Sequence, residues 1–362
     1  MRVTAPRRRY HWQLPGAVFL VMSLLLGAAA VQRGDSLLIF LFATALAWIV
    51  VSGVVSGAML MGVTVRRVTP SRMRVGEQSA IRYHIRSGSL PLFAVTIREG
   101  QVDGALRGDG ARVAHCARSD EVVPTAAVVP LRRGACALSR VQCVTSFPFG
   151  IMRKSVTFEA AESVLVHPRI EAIDHAAFLR LFGQGSGAAR PKSVVGWGDE
   201  LHGLREFRSG DSMRSVAWKR SLALDHLLVV ERASMAARRL RLRVELRHEA
   251  DGSTGDLEDA ITLAASLLAH AEACAWAYAL EVDAATHTVV SMHSGRWHLT
   301  RCLDELACAA PSQGESAGSR CSASARRTGG YSFVVTNRRR AGGVGELGPE
   351  ALAALRCREA IA

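Results

Sequence analysis

Between Leu204 and Ala233 the chain reads LREFRSGDSMRSVAWKRSLALDHLLVVERA. Arg205, Glu206, Phe207, Gly210, Asp211, Arg214, Trp218, Lys219 and Glu231 crowd into one strand-turn-helix-like stretch, more mixed charge than a core element carries. Glu206 and Asp211 are the carboxylates a hydrolase would need, with His202 as the nearest base candidate in sequence. Ser221 lies in no GxSxG turn, and no GxxxxGK[ST] phosphate loop occurs, so neither an activated serine nor a nucleotide cofactor is implied. Two non-catalytic readings stand ahead of hydrolysis. In one, Arg205, Glu206, Asp211 and Arg214 form a charge network around the Ser209-Gly210-Asp211 turn while Trp218 offers a flat anchor to a partner, Arg and Trp being enriched at the energetic centres of interfaces. In the other, the same groups pair internally and fix the junction between two domains.

The eight cysteines contain no CxxC pair, and none is read as one of a metal-ligand set with histidines. They read as small buried hydrophobes of a reducing compartment, and no metal is expected. The glycine-rich loop at 183–187 lacks a preceding strand and a suitably placed lysine, and reads as a linker.

The elements that must carry the charged run begin at a membrane. Residues 14–31 are almost wholly apolar, close to the length that crosses a hydrocarbon core of ~30 Å. Residues 37–63 form a second apolar stretch interrupted by small residues, among them Thr44, Ser52, Gly53, Ser56 and Gly57, that let helices approach closely in lipid. Arg2, Arg7, Arg8 and Arg9 precede the first stretch and Arg66, Arg67, Arg72 and Arg74 follow the second, which points both ends to the cytoplasm. A secretory signal peptide ending near Ala28-Ala29-Ala30 is the rival reading of the first stretch. The formal net charge of +13 suits anionic lipid at the cytoplasmic leaflet or, clustered on one face, nucleic acid.

From residue 64 to 170, short alternating runs separated by Gly, Pro, Asp and Ser predict a β-sandwich-like domain, with the TSFPFG turn at 145–150 as an aromatic plug. Residues 171–203 read as a linker and mobile loop. Beyond them, 240–246 alternates as a strand; Asp256 would cap a helix with apolar Leu257, Ile261, Ala264, Ala265, Leu268 and Ala271. Strands at 276–282, 288–292 and 331–336 and helices at 299–309 and 349–361 then predict an open α/β sheet with a largely parallel core. Ligands of such sheets sit beyond the strand carboxyl ends, here at 248–255.

The order of two apolar spans, a β-rich region, TSFPFG, VLVHPR at 164–169 and GDELHGLREFRSGDSMRSVAWKRS resembles the bacterial "domain of unknown function 58" family. Arg205, Glu206, Phe207, Gly210, Asp211, Arg214, Trp218 and Lys219 match its central motif, while Ala217 and Ala223 replace polar residues of many relatives. The resemblance implies a von Willebrand factor A-like α/β domain on a membrane anchor, similar to partners of MoxR-type AAA+ ATPases in assembly or chaperone systems. The stretch VELRHEADGS at 244–253 lacks the Asp-x-Ser-x-Ser of a metal-dependent adhesion site, though Glu245, Glu249 and Asp251 carry oxygens.

The expected chain therefore comprises a basic cytoplasmic N-terminus (1–13), a two-helix membrane hairpin (14–63), a β-sandwich-like domain (64–170), a linker (171–203) and a von Willebrand factor A-like α/β domain (204–362). Its expected role is a non-catalytic adaptor in the inner membrane that recruits a cytoplasmic partner such as an AAA+ ATPase. The alternatives are an anionic-lipid or nucleic-acid binder and a hydrolase. No small-molecule substrate is identified.

Overall fold

The computed structural model describes residues 7–100, 104–184, 195–207, 213, 216–224, 226–233, 239–247, 254–312, 331–337 and 346–356. It divides into two compact units, Met1–Pro168 and Arg169–Ala362.

In the first unit, β1 (Arg7–Trp12) precedes α1 (Leu14–Arg33) and α2 (Ser36–Met59). Pro15 suits the first turn of α1, where its missing N–H costs nothing. Gly34 takes the left-handed conformation that ends this helix, and the Asp35 carboxylate accepts the Leu37 N–H at the start of α2. Only 17% and 6% of the most apolar windows of α1 and α2 are buried, so these are not core helices of a water-soluble fold. They are long and apolar enough to cross a membrane.

Then follow β2 (Thr64–Val68), β3 (Arg72–Arg74), β4 (Ser79–Arg86), β5 (Leu92–Gly100), β6 (Leu106–Arg107), β7 (Ala111–Cys116), β8 (Glu121–Val122), β9 (Thr125–Pro130), β10 (Gly134–Thr145) and β11 (Met152–His167). One sheet runs β1-β11-β10-β5-β7 with β3 beside β11, and the other runs β2-β4-β9-β6 with β8 beside β4. Alternate residues of both, including Ile81, Tyr83, Ile85, Val95, Ile97, Val141, Val156 and Phe158, enclose one apolar core. The short alternating runs of 64–170 supply the strands of these two sheets. Within the basic N-terminal segment, Arg7–Trp12 forms an edge strand antiparallel to Met152–Thr157. Arg7, Arg8 and Arg9 occupy successive rungs of this ladder, and the strand covers a stretch of β11 edge that would otherwise lie open.

The small residues of α2 also do something other than expected. Gly27 of α1 receives the Phe42 ring, but Gly53 and Gly57 face β11: a Cβ on Gly57 would lie 2.9 Å from Lys154 Nζ, and Lys154 donates to the Gly53 carbonyl. Trp48 packs edge-on against Phe149, ring centroids 4.5 Å apart, and a Cβ on Gly16 would meet the Ile151 carbonyl oxygen at 2.0 Å. The TSFPFG turn is thus shared: Phe149 lies against the helices, while Phe147 stacks on Phe93 of β5 at 5.1 Å.

The second unit opens with α3 (His175–Gln184), where a linker was expected. The Asp174 carboxylate accepts the Ala176 and Ala177 N–H groups, and Phe178 is fully buried. Next come β12 (Val195–Glu206), α4 (Trp218–Leu224), β13 (Leu228–Ala233), β14 (Arg239–Glu245), α5 (Thr254–Ala273), β15 (Ala277–Asp283), β16 (His287–His293), α6 (Arg296–Cys308), β17 (Tyr331–Thr336), β18 (Glu346–Leu347) and α7 (Glu350–Leu355). Strands β12 and β13 pair alone; the other five form the sheet β16-β15-β14-β17-β18, parallel except for the β15–β16 hairpin. Leu240, Leu242, Val244, Tyr278, Leu280, Val282, Phe333 and Val335 put one face of it into a core with α5 and with buried residues of α3, α6 and α7. Asp256 falls in the first turn of α5, two residues inside its start, where its charge favours the positive helix end.

Candidate functional site

The two halves of the charged run meet at one backbone position, Leu228. Glu206 ends β12 opposite Leu228. Two residues of the turn into α4 come to the same place: the Ala217 N–H donates to the Leu228 carbonyl (2.8 Å), and Ser221 Oγ accepts the Leu228 N–H (2.9 Å). The Phe207 N–H donates to Leu227 O (2.8 Å), closing the strand pair. Arg205 stands opposite Val229 and Glu231 opposite Gly203, two rungs apart on one ladder. Gly210, Asp211 and Arg214 lie outside the described residues.

Around this junction the surface is apolar and basic. Trp218 is 51% exposed and Leu222, one turn later on α4, 82% exposed. Lys219, Arg220 and Glu206 are exposed beside them, and Phe207 is half-buried. His202 and Glu206 lie four residues apart on β12, ~13 Å at the strand rise of ~3.3 Å per residue.

At the carboxyl end of the parallel sheet, Arg243 collects the acidic side chains. Its guanidinium lies 3.1 Å from Glu245, 3.1 Å from Asp283 and 3.9 Å from Glu281. A divalent cation there would compete with a built-in one, as the carboxylates already hold a positive charge. Between β14 and β17 the Asn337 side chain accepts the Arg247 N–H (3.1 Å) and donates to its carbonyl (2.8 Å), closing the mouth between those strands. Residues 248–253, with Glu249 and Asp251, lie outside the described residues.

A second surface went unread in the sequence. Arg7, Arg9, His11, Arg98, Arg140 and Arg153 lie on the outer face of the six-stranded sheet, as their ladder register requires. A 160 Å³ depression there is lined by Arg7, Arg9, Arg140, Gln142, Thr157 and Glu159. The signal was scattered as Arg7 and Arg9 in one run and single arginines, Arg98, Arg140 and Arg153, in three others, and only the pairing places them together.

Four of the cysteines behave as expected: Cys116, Cys136, Cys143 and Cys302 are buried, and burial pushes the Cys143 and Cys302 thiols up to about 12. Cys274 is half-buried and Cys308 exposed, while Cys321 and Cys357 lie outside the described residues.

Fold and site together define a two-unit chain: an apolar helix pair built into a two-sheet β domain, and an α/β unit with exposed Trp218 and Leu222 on α4 beside its separate strand pair. No family model matches the chain, and no curated protein matches it. Solved structures that it resembles in part include the CARDB domain of a Pyrococcus furiosus protein in solution, 14% identical over 29% of this chain and 93% of that one, with a TM-score of 0.18. The crystal structure of that domain in complex with di-metal ions is 15% identical over 29% of this chain and 86% of that one, with a TM-score of 0.17. Scores this low carry no argument about function.

Proposed function

We propose that the protein is a membrane-anchored, non-catalytic adaptor whose α/β unit recruits a cytoplasmic protein through the α4 surface. The observation that carries the anchor is the β1–β11 pairing. Residues before the first apolar helix and after the second belong to one sheet, so the helices form a hairpin whose two ends share one side of the membrane. Arginines at both ends of the hairpin favour the cytoplasmic side. The α4 surface supports the adaptor role, with Trp218 and Leu222 offering apolar area and Lys219 and Arg220 selecting an acidic partner face. The open, largely parallel sheet accords with the von Willebrand factor A-like reading, and with it the "domain of unknown function 58" resemblance and a MoxR-type AAA+ ATPase as the partner. The test is a detergent pull-down with the tagged full-length chain beside its Trp218→Ala/Leu222→Ser variant. An ATPase recovered by the unaltered chain and lost from the variant is the expected result; equal recovery by both moves the contact elsewhere.

Anionic-lipid binding has its own observation. Arg153 and His11 pair one rung from Trp12 and Met152, where β11 meets the start of α1, so the cationic sheet face stands at headgroup level of the proposed hairpin. Vesicles containing phosphatidylserine should bind the full chain more tightly than neutral vesicles, with the preference lost at high salt. This placement favours lipid over nucleic acid as the anionic ligand.

A further inference from the structure

Three ligand-bearing side chains converge where α3 meets the end of α5. His270 lies in the last turn of α5 and Cys274 one residue past its end, a spacing of one helical turn that turns both to the same side. His175, the first residue of α3, arrives from 95 positions away because Ala177 and Phe178 bury against the α5 core. Its Nδ1 stands 3.2 Å from His270 Nε2 and 3.7 Å from Cys274 Sγ. All three ligand atoms lie within 4.8 Å of one another.

A tetrahedral zinc ion, with Zn–N of ~2.0–2.1 Å and Zn–S of ~2.3 Å, separates two nitrogens by about 3.4 Å and a nitrogen from a sulfur by about 3.6 Å. The two printed edges fit that tetrahedron. Without a cation the arrangement is frustrated, because His175 Nδ1 faces both an imidazole nitrogen and a thiol and has at most one proton to share. The rings are also held in place: Phe178 packs edge-on to His270 at 4.5 Å, and Trp276 backs Phe178 at 5.3 Å. Such packing keeps ligands oriented before an ion arrives.

We propose that His175, His270 and Cys274 bind one divalent transition cation, with Zn2+ as the chemical match. Two imidazoles and one thiolate suit zinc and discriminate against Mg2+ and Ca2+, which take oxygen ligands. Binding deprotonates Cys274 and releases that proton to solvent. The fourth position opens beside exposed His175 and takes water. The ion clamps the first helix of the α/β unit to the end of its central helix. This site stands apart from the α4 surface and does not rest on the adaptor reading.

The test uses the full-length chain, purified in detergent without a polyhistidine tag, stripped with a chelator and titrated with Co2+. One equivalent should bind, giving the absorption of tetrahedral cobalt with a thiolate-to-metal charge-transfer band, and Zn2+ should displace it. Cys274→Ser should lose the charge-transfer band, and His270→Ala should weaken binding by roughly tenfold or more, as loss of even an outer-shell partner can. His175→Ala alters an exposed residue and should weaken binding likewise, which keeps the test decisive if the His270 variant fails to fold. Cys308→Ser, at the exposed thiol of α6, should change nothing. Absence of the charge-transfer band from the unaltered chain, or its survival in Cys274→Ser, would overturn the site.

Discussion

Arg67 shows how this chain keeps a charge inside a β core. Its side chain has no exposed surface; it pairs with Glu99 at 2.7 Å and Glu162 at 3.1 Å, and donates to the carbonyls of Leu138 (2.9 Å) and Ala160 (2.6 Å). Tyr83 donates to the other Glu99 oxygen at 2.7 Å. These contacts link β2 and β4 of one sheet to β5, β10 and β11 of the other. Removing one member of such a buried set leaves its partners uncompensated, so Arg67→Ala should cost about 3–5 kcal/mol. Arg74→Ala, which breaks the partly exposed pair with Glu77, should cost under ~1 kcal/mol. Denaturant unfolding of both variants in detergent checks the contrast. Burial holds the Glu99 carboxyl above its ordinary range, while Arg67 and Tyr83 pull it down. A raised carboxyl stabilises the fold below its unfolded pKa, and that contribution is lost as pH rises through the folded value. Without Arg67 the folded value climbs further, so the Arg67→Ala penalty should be larger at pH 7 than at pH 4; equal penalties would contradict the pairing. In sequence Arg67 looked like one more juxtamembrane arginine, because nothing local distinguishes a guanidinium that will meet Glu99 and Glu162 across a sandwich.

The β10–β11 turn and the helix pair behave as one packed element. The Gly16 backbone leaves no room for a side chain against Ile151, so Gly16→Leu should pry the turn from α1. A Trp48→Cys/Phe149→Cys pair in a cysteine-free background should crosslink with a short bis-maleimide, and adding Gly16→Leu should abolish the product. Undiminished crosslinking would show that the turn does not depend on that contact. Elements of strong period were legible in advance: α5 through its apolar spacing, and β14, β15 and β17 through alternation and intervening helices. Elements fixed by distant partners were not. Arg7-Arg8-Arg9 looked like flanking charge until β11 supplied a ladder, and the short apolar patch of α3 became a helix only with α5 to cover Phe178. Of the candidate site, the charged run stood out by composition, whereas the meeting of its halves at Leu228 depends on a strand pairing across the intervening turn. His175, His270 and Cys274 were invisible as a set because only two of them are neighbours along a helix.

For the whole molecule, the account rests on the helix hairpin. If α1 and α2 cross the membrane and return, the strand before them and the folded chain after them share one side, which we propose to be the cytoplasmic one, where the α4 surface would meet its proposed partner. The most direct measurement labels two single-cysteine forms of the full chain with a membrane-impermeant maleimide in intact bacterial spheroplasts. One form carries Gly34→Cys in the turn between the helices, and the other keeps only native Cys308, exposed on α6. The account predicts labelling at position 34 in intact cells and at Cys308 only after the membrane is opened. Labelling of Cys308 in intact cells, with position 34 protected, would contradict it.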